Sequence, residues 1–442
     1  MSNVMHACLK KIWIALFAVF ISIFSAQLFS PRVCFSSEAE QDRLLQDLTS
    51  GDVFVDTEED VQLVTEYVCQ NGHVHNEKGD LGKCGVCGLG LKEVIHGKKL
   101  SRRENISERI EYLTEEIAEK RFLFGISSTG ILQQILHGYG GHGFTAEGSV
   151  DLLFIYRPFG NMTLFLDLEG IGGNGPDEYI DSISGLNDDA GDFQEENGGE
   201  RLSVREAWCE LGFFKNQLTL VMGKIDLTNY FDSNAVANDE TTQFITSVFV
   251  NNATLEVPVN GPGIASTYEF GGGVYFGLGL QSSDDVESGR THGMYGIGEM
   301  GINSYKLFNL EGNLRFWGKM NEGQANNKGL GISIDQQISE SVFAFVRYGI
   351  NERDGAEVKS AWSSGLEMHH PVNSRQDDKT SLAFGRTKAV NGSEEFVTEM
   401  YYKFVINKHF SITPSIQTIF DPVGLDDRDV VTLMGLRTQL EF

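Results

Sequence analysis

Residues 430–442 read VVTLMGLRTQLEF. Val430, Thr432, Met434, Leu436, Thr438, Leu440 and Phe442 fall on one side of a period-two pattern, and Arg437, Gln439 and Glu441 on the other. Successive side chains of a strand point to opposite faces. A strand that is apolar on one face, charged on the other and closed by an aromatic residue suits a sheet with lipid outside and water inside.

The pattern repeats upstream. In LEGNLRFWGKM (310–320), Leu310, Gly312, Leu314, Phe316 and Gly318 oppose Glu311, Asn313, Arg315, Trp317 and Lys319. Val342, Ala344, Val346, Tyr348 and Ile350 oppose Arg347. Phe396, Thr398, Met400, Tyr402, Phe404 and Ile406 oppose Glu399, Tyr401 and Lys403; Leu164, Leu166 and Leu168 oppose Asp167 and Glu169. A soluble sandwich also alternates, but its buried faces rarely continue through so many strands with charges opposite. Backbone amides in hydrocarbon must pair within the protein, so the sheet must close. The region from 122 to 442 holds about 320 residues. At about 10 residues per strand and similar connections, that gives roughly 16 strands and an aqueous channel. The expected fold is therefore all-β. A closed antiparallel transmembrane β-barrel occupies 122–442, preceded by a small Cys/His module and a short helix.

Composition agrees: 50 glycines and 30 phenylalanines against 8 prolines favour strands and turns. A formal charge of −27 argues against nucleic acid and against an anionic membrane surface as partners. The single long apolar run is Ile12–Ala26, after Lys10 and Lys11. It reads as a secretory signal peptide within residues 1–36. Export places the barrel in the outer membrane, with outer-membrane lipid around it and the N-terminal module in the periplasm. The strand ending at Phe442 is of the kind read by the barrel-assembly machinery.

The module spans 60–97. Cys84 and Cys87 form a C-x-x-C knuckle, with Cys69, His73 and His75 upstream. Three thiolates and one imidazole suit tetrahedral Zn²⁺. A disulfide between two of these cysteines is the competing reading; the close cysteine pair beside histidines favours metal. In residues 101–121, Ile106, Ile110, Leu113 and Ile117 share a helical stripe. The preferred reading packs this helix on its own barrel. A coiled coil joining copies into a homo-oligomer is the alternative, although two heptads are few for one.

Inward-facing candidates for the pore lining are Glu206, Trp208 and Glu210, Lys224 and Asp226, Arg315 and Trp317, and Arg347. Rows of acid opposed by rows of base would set up a field across a narrow lumen. Residues 170–200 hold nine acidic residues and no lysine or arginine, marking a long loop that either stays outside in solvent or folds inward. His142 and Ser149 lack any pattern supporting a hydrolase, so the chain is read as no enzyme.

Two stretches carry a resemblance. GKIDLTNYFDSNAVANDETTQFITSVFVNN, within Gly223–Phe270, and the C-terminal ITPSIQTIFDP…GLRTQLEF resemble the carbohydrate-selective, OprB-like porin family. The resemblance implies a porin passing small hydrophilic solutes, sugars among them, by passive diffusion into the periplasm. The alternative is a channel for cations or metal solutes, suggested by the acidic balance and the Cys/His knuckle. A role in tethering the envelope through the module is a further alternative. The module itself resembles the small heavy-metal-binding domain of metal-transport proteins at Tyr67, Cys69, Gly82, Lys83, Cys84, Cys87, Gly88 and Leu91. It departs in its histidine spacing and in Leu89, where that domain carries methionine.

Overall fold

The computed structural model describes residues 63–69, 74–75, 91–97 and most of 122–442, with the longest internal omissions at 192–200 and 423–429. The signal peptide, the helix at 101–121 and, within the module, His73, Cys84 and Cys87 lie outside the described residues.

Three short strands come first: β1 (Leu63–Cys69), β2 (Val74–His75) and β3 (Leu91–Gly97). They form an antiparallel sheet in the order β2-β1-β3, with Tyr67 opposite His75 and Cys69 opposite Leu91.

Sixteen strands follow: β4 (Phe122–His137), β5 (Phe144–Phe159), β6 (Met162–Gly173), β7 (Arg201–Phe213), β8 (Leu218–Ile225), β9 (Gly261–Gly271), β10 (Val274–Asp285), β11 (Arg290–Leu307), β12 (Leu310–Asn321), β13 (Asn327–Gln337), β14 (Val342–Asn351), β15 (Val358–His369), β16 (Lys379–Ala389), β17 (Glu394–Asn407), β18 (Phe410–Phe420) and β19 (Val430–Glu441). Each pairs antiparallel with its neighbours in sequence, and β19 pairs with β4 to close the barrel. Closure runs to the last residue, because Phe442 and Ile126 exchange two backbone hydrogen bonds of 2.9 Å. A ring without an edge leaves no unpaired row of amides to face lipid.

The expected alternation is present. Met434, Leu436 and Leu440 are exposed on the outer face of β19, while Leu433, Arg437 and Gln439 are buried inside. Phe316 projects outward between inward Arg315 and Trp317, and Val346 and Tyr348 project outward around inward Arg347. The exposed apolar side chains form the lipid-facing surface.

One rim has tight turns. At β9–β10 the chain reverses through Gly271, Gly272 and Gly273, all at positive φ (89°, 63° and 80°), a conformation that disfavours residues with a Cβ. The opposite rim carries two long connections, β6–β7 and β8–β9, with two one-turn helices, α1 (Asp188–Gly191) and α2 (Ser247–Val250). Both connections turn into the barrel. Ile180, Leu186, Val236, Phe244, Val248 and Phe249 pack against inward Phe345, Val397, Tyr401, Ile419 and Leu433. Leu227, Phe231 and Leu255 pack against inward Val221, Ile225, Tyr295 and Trp317. The interior is thus partly an apolar core, which corrects the expectation of a uniformly wet inner face.

Candidate functional site

The segment between β8 and β9 runs through the lumen and is held there by charges on the wall. At its head, Asp232 has a left-handed backbone (φ 55°), uncommon for a residue with a side chain. Its carboxylate ion-pairs with Arg347 Nε at 3.0 Å, accepts from Trp317 Nε1 at 2.8 Å and accepts from the Asn252 amide at 3.0 Å. Its own amide donates to Glu299 at 2.7 Å. Burial pushes the Asp232 carboxyl above its ordinary value, while the Arg347 guanidinium and the Trp317 N–H draw it back. Arg347 also donates to the carbonyls of Phe249, Val250 and Asp232, so one side chain of β14 grips both ends of the loop.

The tail of the loop is fixed similarly. Glu256, also left-handed (φ 43°), pairs with Lys319 at 2.8 Å and accepts from Asn327, Asn351 and the Val358 amide. Between these clamps, Arg437 donates to the carbonyls of Glu240 and Gln243, and Glu399 accepts from the amides of Ile245 and Thr246. Gln417 bridges the two connections by donating to Leu186 O and Thr246 Oγ1, both at 2.8 Å. Gly349 on β14 permits the approach, since a Cβ there would collide with Thr254 and Asn252.

The β6–β7 connection docks beside it. Glu395 accepts from Ser182 Oγ at 2.6 Å and from the Ser184 amide at 3.2 Å. Asp177 accepts from the Leu186 amide at 3.0 Å; burial pushes its carboxyl up to about 6. Of the two readings of residues 170–200, the described part of the loop follows the inward one.

The sequence candidates fall into three groups. Glu206, Trp208 and Glu210 lie together on the inner face of β7; Glu206 accepts from Trp208 Nε1 at 3.1 Å and from Asn229 at 2.9 Å. Asp226 caps the turn that opens the lumen loop, accepting from the Thr228 amide at 2.8 Å. Arg315, Trp317 and Arg347 point inward but are 4%, 2% and 0% exposed. Arg315 pairs with Asp335 at 2.8 Å, and the other two are spent on the loop. Trp317 and Arg347 anchor the loop and Arg315 is tied to the wall, which corrects the expectation that these three line an open pore. Lys224 is a second correction. It shares the outer face of β8 with Leu220 and Met222, opposite outward Ala207, and donates to the Val204 carbonyl. Both faces of β8 are apolar because its inner face, Val221 and Ile225, packs on the loop. Of the hydrolase candidates, Ser149 hydrogen-bonds Asp189 at 3.2 Å and His142 lies outside the described residues.

Alternation alone misses Arg205. The β6–β7 register shifts between Asp167 and Leu168, which face Glu206 and Val204, leaving Arg205 as the extra residue. Such a bulge re-aims a side chain. Arg205 therefore reaches inner-face Glu169 and the loop's Glu240, each at 3.8 Å. The loop acids Asp232 and Glu256 were also missed as anchors, although Asp232 lies inside the stretch that carries the family resemblance.

The comparisons agree with this architecture. A family model described as "Carbohydrate-selective porin, OprB family" matches residues 159–442. The high-pH structure of Pseudomonas putida OprB superposes with a TM-score of 0.64 at 15% identity, covering 75% of this chain and 96% of that one. The low-pH structure gives 0.54 at 14% identity, covering 77% and 99%. An uncharacterized protein of Aquifex aeolicus (strain VF5) is 24% identical over 270 residues, 60% of this chain and 76% of its own length. The family match spans the whole lumen loop and the closing strand. The chain belongs to the OprB family of carbohydrate-selective porins, and it is an outer-membrane β-barrel channel.

Proposed function

We propose that the chain passes small neutral sugars by passive diffusion, with the β8–β9 loop as the constriction that sets which solutes fit. The observation that carries this reading is that residues 226–252, most of the stretch that holds the family resemblance, lie in the loop clamped inside the barrel. Long connections in such barrels face the cell exterior and tight turns face the periplasm. Solute would therefore meet the loop on its way in. Liposomes containing the purified protein should swell faster in mono- and disaccharides than in amino acids of equal size. Equal rates would defeat the sugar reading while leaving the channel intact.

A cation-preferring channel is the second reading, favoured by Asp151, Asp167, Glu169 and Glu206 on one inner wall. A reversal potential in a salt gradient decides it; no preference for potassium over chloride would exclude it.

For the N-terminal module we infer a structural Zn²⁺ held in the periplasm by Cys69, Cys84, Cys87 and one of His73 and His75. The donor set fits Zn²⁺, and the backbone register of β1 and β2 sets His75 across from Tyr67, two residues from Cys69. The purified chain should carry one zinc, lost in the Cys84→Ser/Cys87→Ser variant; a disulfide at those cysteines would refute this. Recognition of the Phe442 strand by the assembly machinery belongs to the same reading, supported by its place in the closing seam.

A further inference from the structure

The inner wall made by β5, β6 and β7 sets buried acids against one another. Asp151 lies directly across from Glu169, and Asp167 directly across from Glu206. Cross-strand neighbours have Cβ atoms about 5 Å apart, and like charges in such positions repel. Both lumen connections add acid to the same wall. Asp189 accepts from Ser149 Oγ at 3.2 Å, Asn187 donates to Glu147 at 2.8 Å, and Glu240 sits 3.8 Å from Arg205. Arg205 lies 3.8 Å from both Glu169 and Glu240 and makes no hydrogen bond to Asp167.

Asp167 is the group this arrangement leaves over. It is 0% exposed, points into the cluster from the inner face of β6, and neither of its carboxylate oxygens accepts a hydrogen bond. A buried carboxylate without donors requires a proton or a cation. Elsewhere in the lumen the problem is solved from the wall, where Arg347 and Lys319 reach out to Asp232 and Glu256 of the loop. On β5–β7 the acids face one another.

We propose that a hydrated divalent cation of the Mg²⁺ or Ca²⁺ type binds at Asp167, joining this wall to the two lumen connections. Carboxylate oxygens are the ligands such hard cations take. Among the described residues no three His, Cys, Asp or Glu side chains converge as a ready-made cage. The ion therefore keeps most of its water and takes one or two carboxylates, the mode natural to Mg²⁺. Asp167 and Glu206 supply the direct contacts, and Asp189 and Glu240 are reached through water. The cation does on this side what Arg347 and Lys319 do on the other: it holds the loops against the wall.

Trp208 provides a built-in reporter, since its Nε1 donates to Glu206 at 3.1 Å. The experiment uses the full chain carrying Cys84→Ser and Cys87→Ser, so that the N-terminal module contributes nothing. The protein is stripped with EDTA and titrated at neutral pH with MgCl₂ or CaCl₂ at constant ionic strength. Tryptophan emission should change saturably and the melting temperature should rise, with no such response to added NaCl. Asp167→Asn should abolish both responses. Glu206→Gln, the alternative should Asp167→Asn fail to assemble, should weaken binding about tenfold or more. Trp208→Phe should lose the emission change and keep the thermal one. Absence of any divalent-specific response overturns the proposal. So does a melting temperature that rises on acidification in EDTA and gains nothing further from metal, because protons then balance the charge. A titration unchanged in Asp167→Asn or Glu206→Gln would overturn the placement.

Discussion

Asp232→Asn tests how the lumen loop is held. Asparagine keeps the shape of the side chain and tolerates the left-handed backbone at this position (φ 55°). It can still accept from Trp317 Nε1, now 2.8 Å from Oδ1. What it removes is the charge facing Arg347 Nε at 3.0 Å, in a pair where both side chains are essentially unexposed. Breaking a buried pair from one side costs about 3–5 kcal/mol, because the remaining charge is left uncompensated. Arg347 keeps its carbonyl acceptors at Phe249, Val250 and Asp232, which places the cost near the lower end. About 3 kcal/mol shifts the docked-to-undocked ratio of the loop by roughly a hundredfold. The barrel itself, closed by sixteen strands, should remain folded. In planar bilayers the variant should show a noisier open state and a larger mean conductance than the wild type. Arg347→Met should be noisier still, because it also removes the donors to the Phe249, Val250 and Asp232 carbonyls. Wild-type current noise and conductance in Asp232→Asn would refute the claim that this ion pair holds the loop.

Three further outcomes follow from the same geometry. Gly349→Val should displace the loop tail near Asn252 and Thr254 and raise conductance while β14 still forms, because valine suits a strand; single-channel recording checks this. Met434→Arg, on the lipid-facing side of β19, should cost about 2–4 kcal/mol in urea unfolding from lipid vesicles. Asp177 carries a folded-state value of about 6, above the unfolded carboxylate value. Its ionisation therefore disfavours docking of the β6–β7 connection above that pH, and the cost disappears as pH falls through 6 toward 4. Protease cleavage of that connection should slow from pH 7 to pH 5, and Asp177→Asn should flatten the profile.

The barrel was legible because lipid and the interior demand opposite side chains from adjacent residues. Leu314 and Phe316 against Arg315 and Trp317 record that demand directly. The purpose of the inner residues was not legible in the same way. An inward arginine reads the same whether it faces water or, like Arg347, a loop that returns from far along the chain. The run Phe244–Val250 is mostly apolar, broken by Thr246 and Ser247, and its role appears only when the barrel is closed around it. Lys224 failed for a related reason: the loop makes both faces of β8 apolar, so the pattern carries no sign of which is outside. Arg205 was hidden by a single bulge that reverses the alternation locally.

The central claim is a closed, water-filled barrel narrowed by its own β8–β9 loop. The most direct measurement is single-channel conductance of the full chain beside a variant in which residues 233–252 are replaced by a short Gly/Ser linker. The wild type should conduct in discrete steps, and the shortened chain should conduct in larger ones. Equal steps from both, or none from the wild type, would contradict the account.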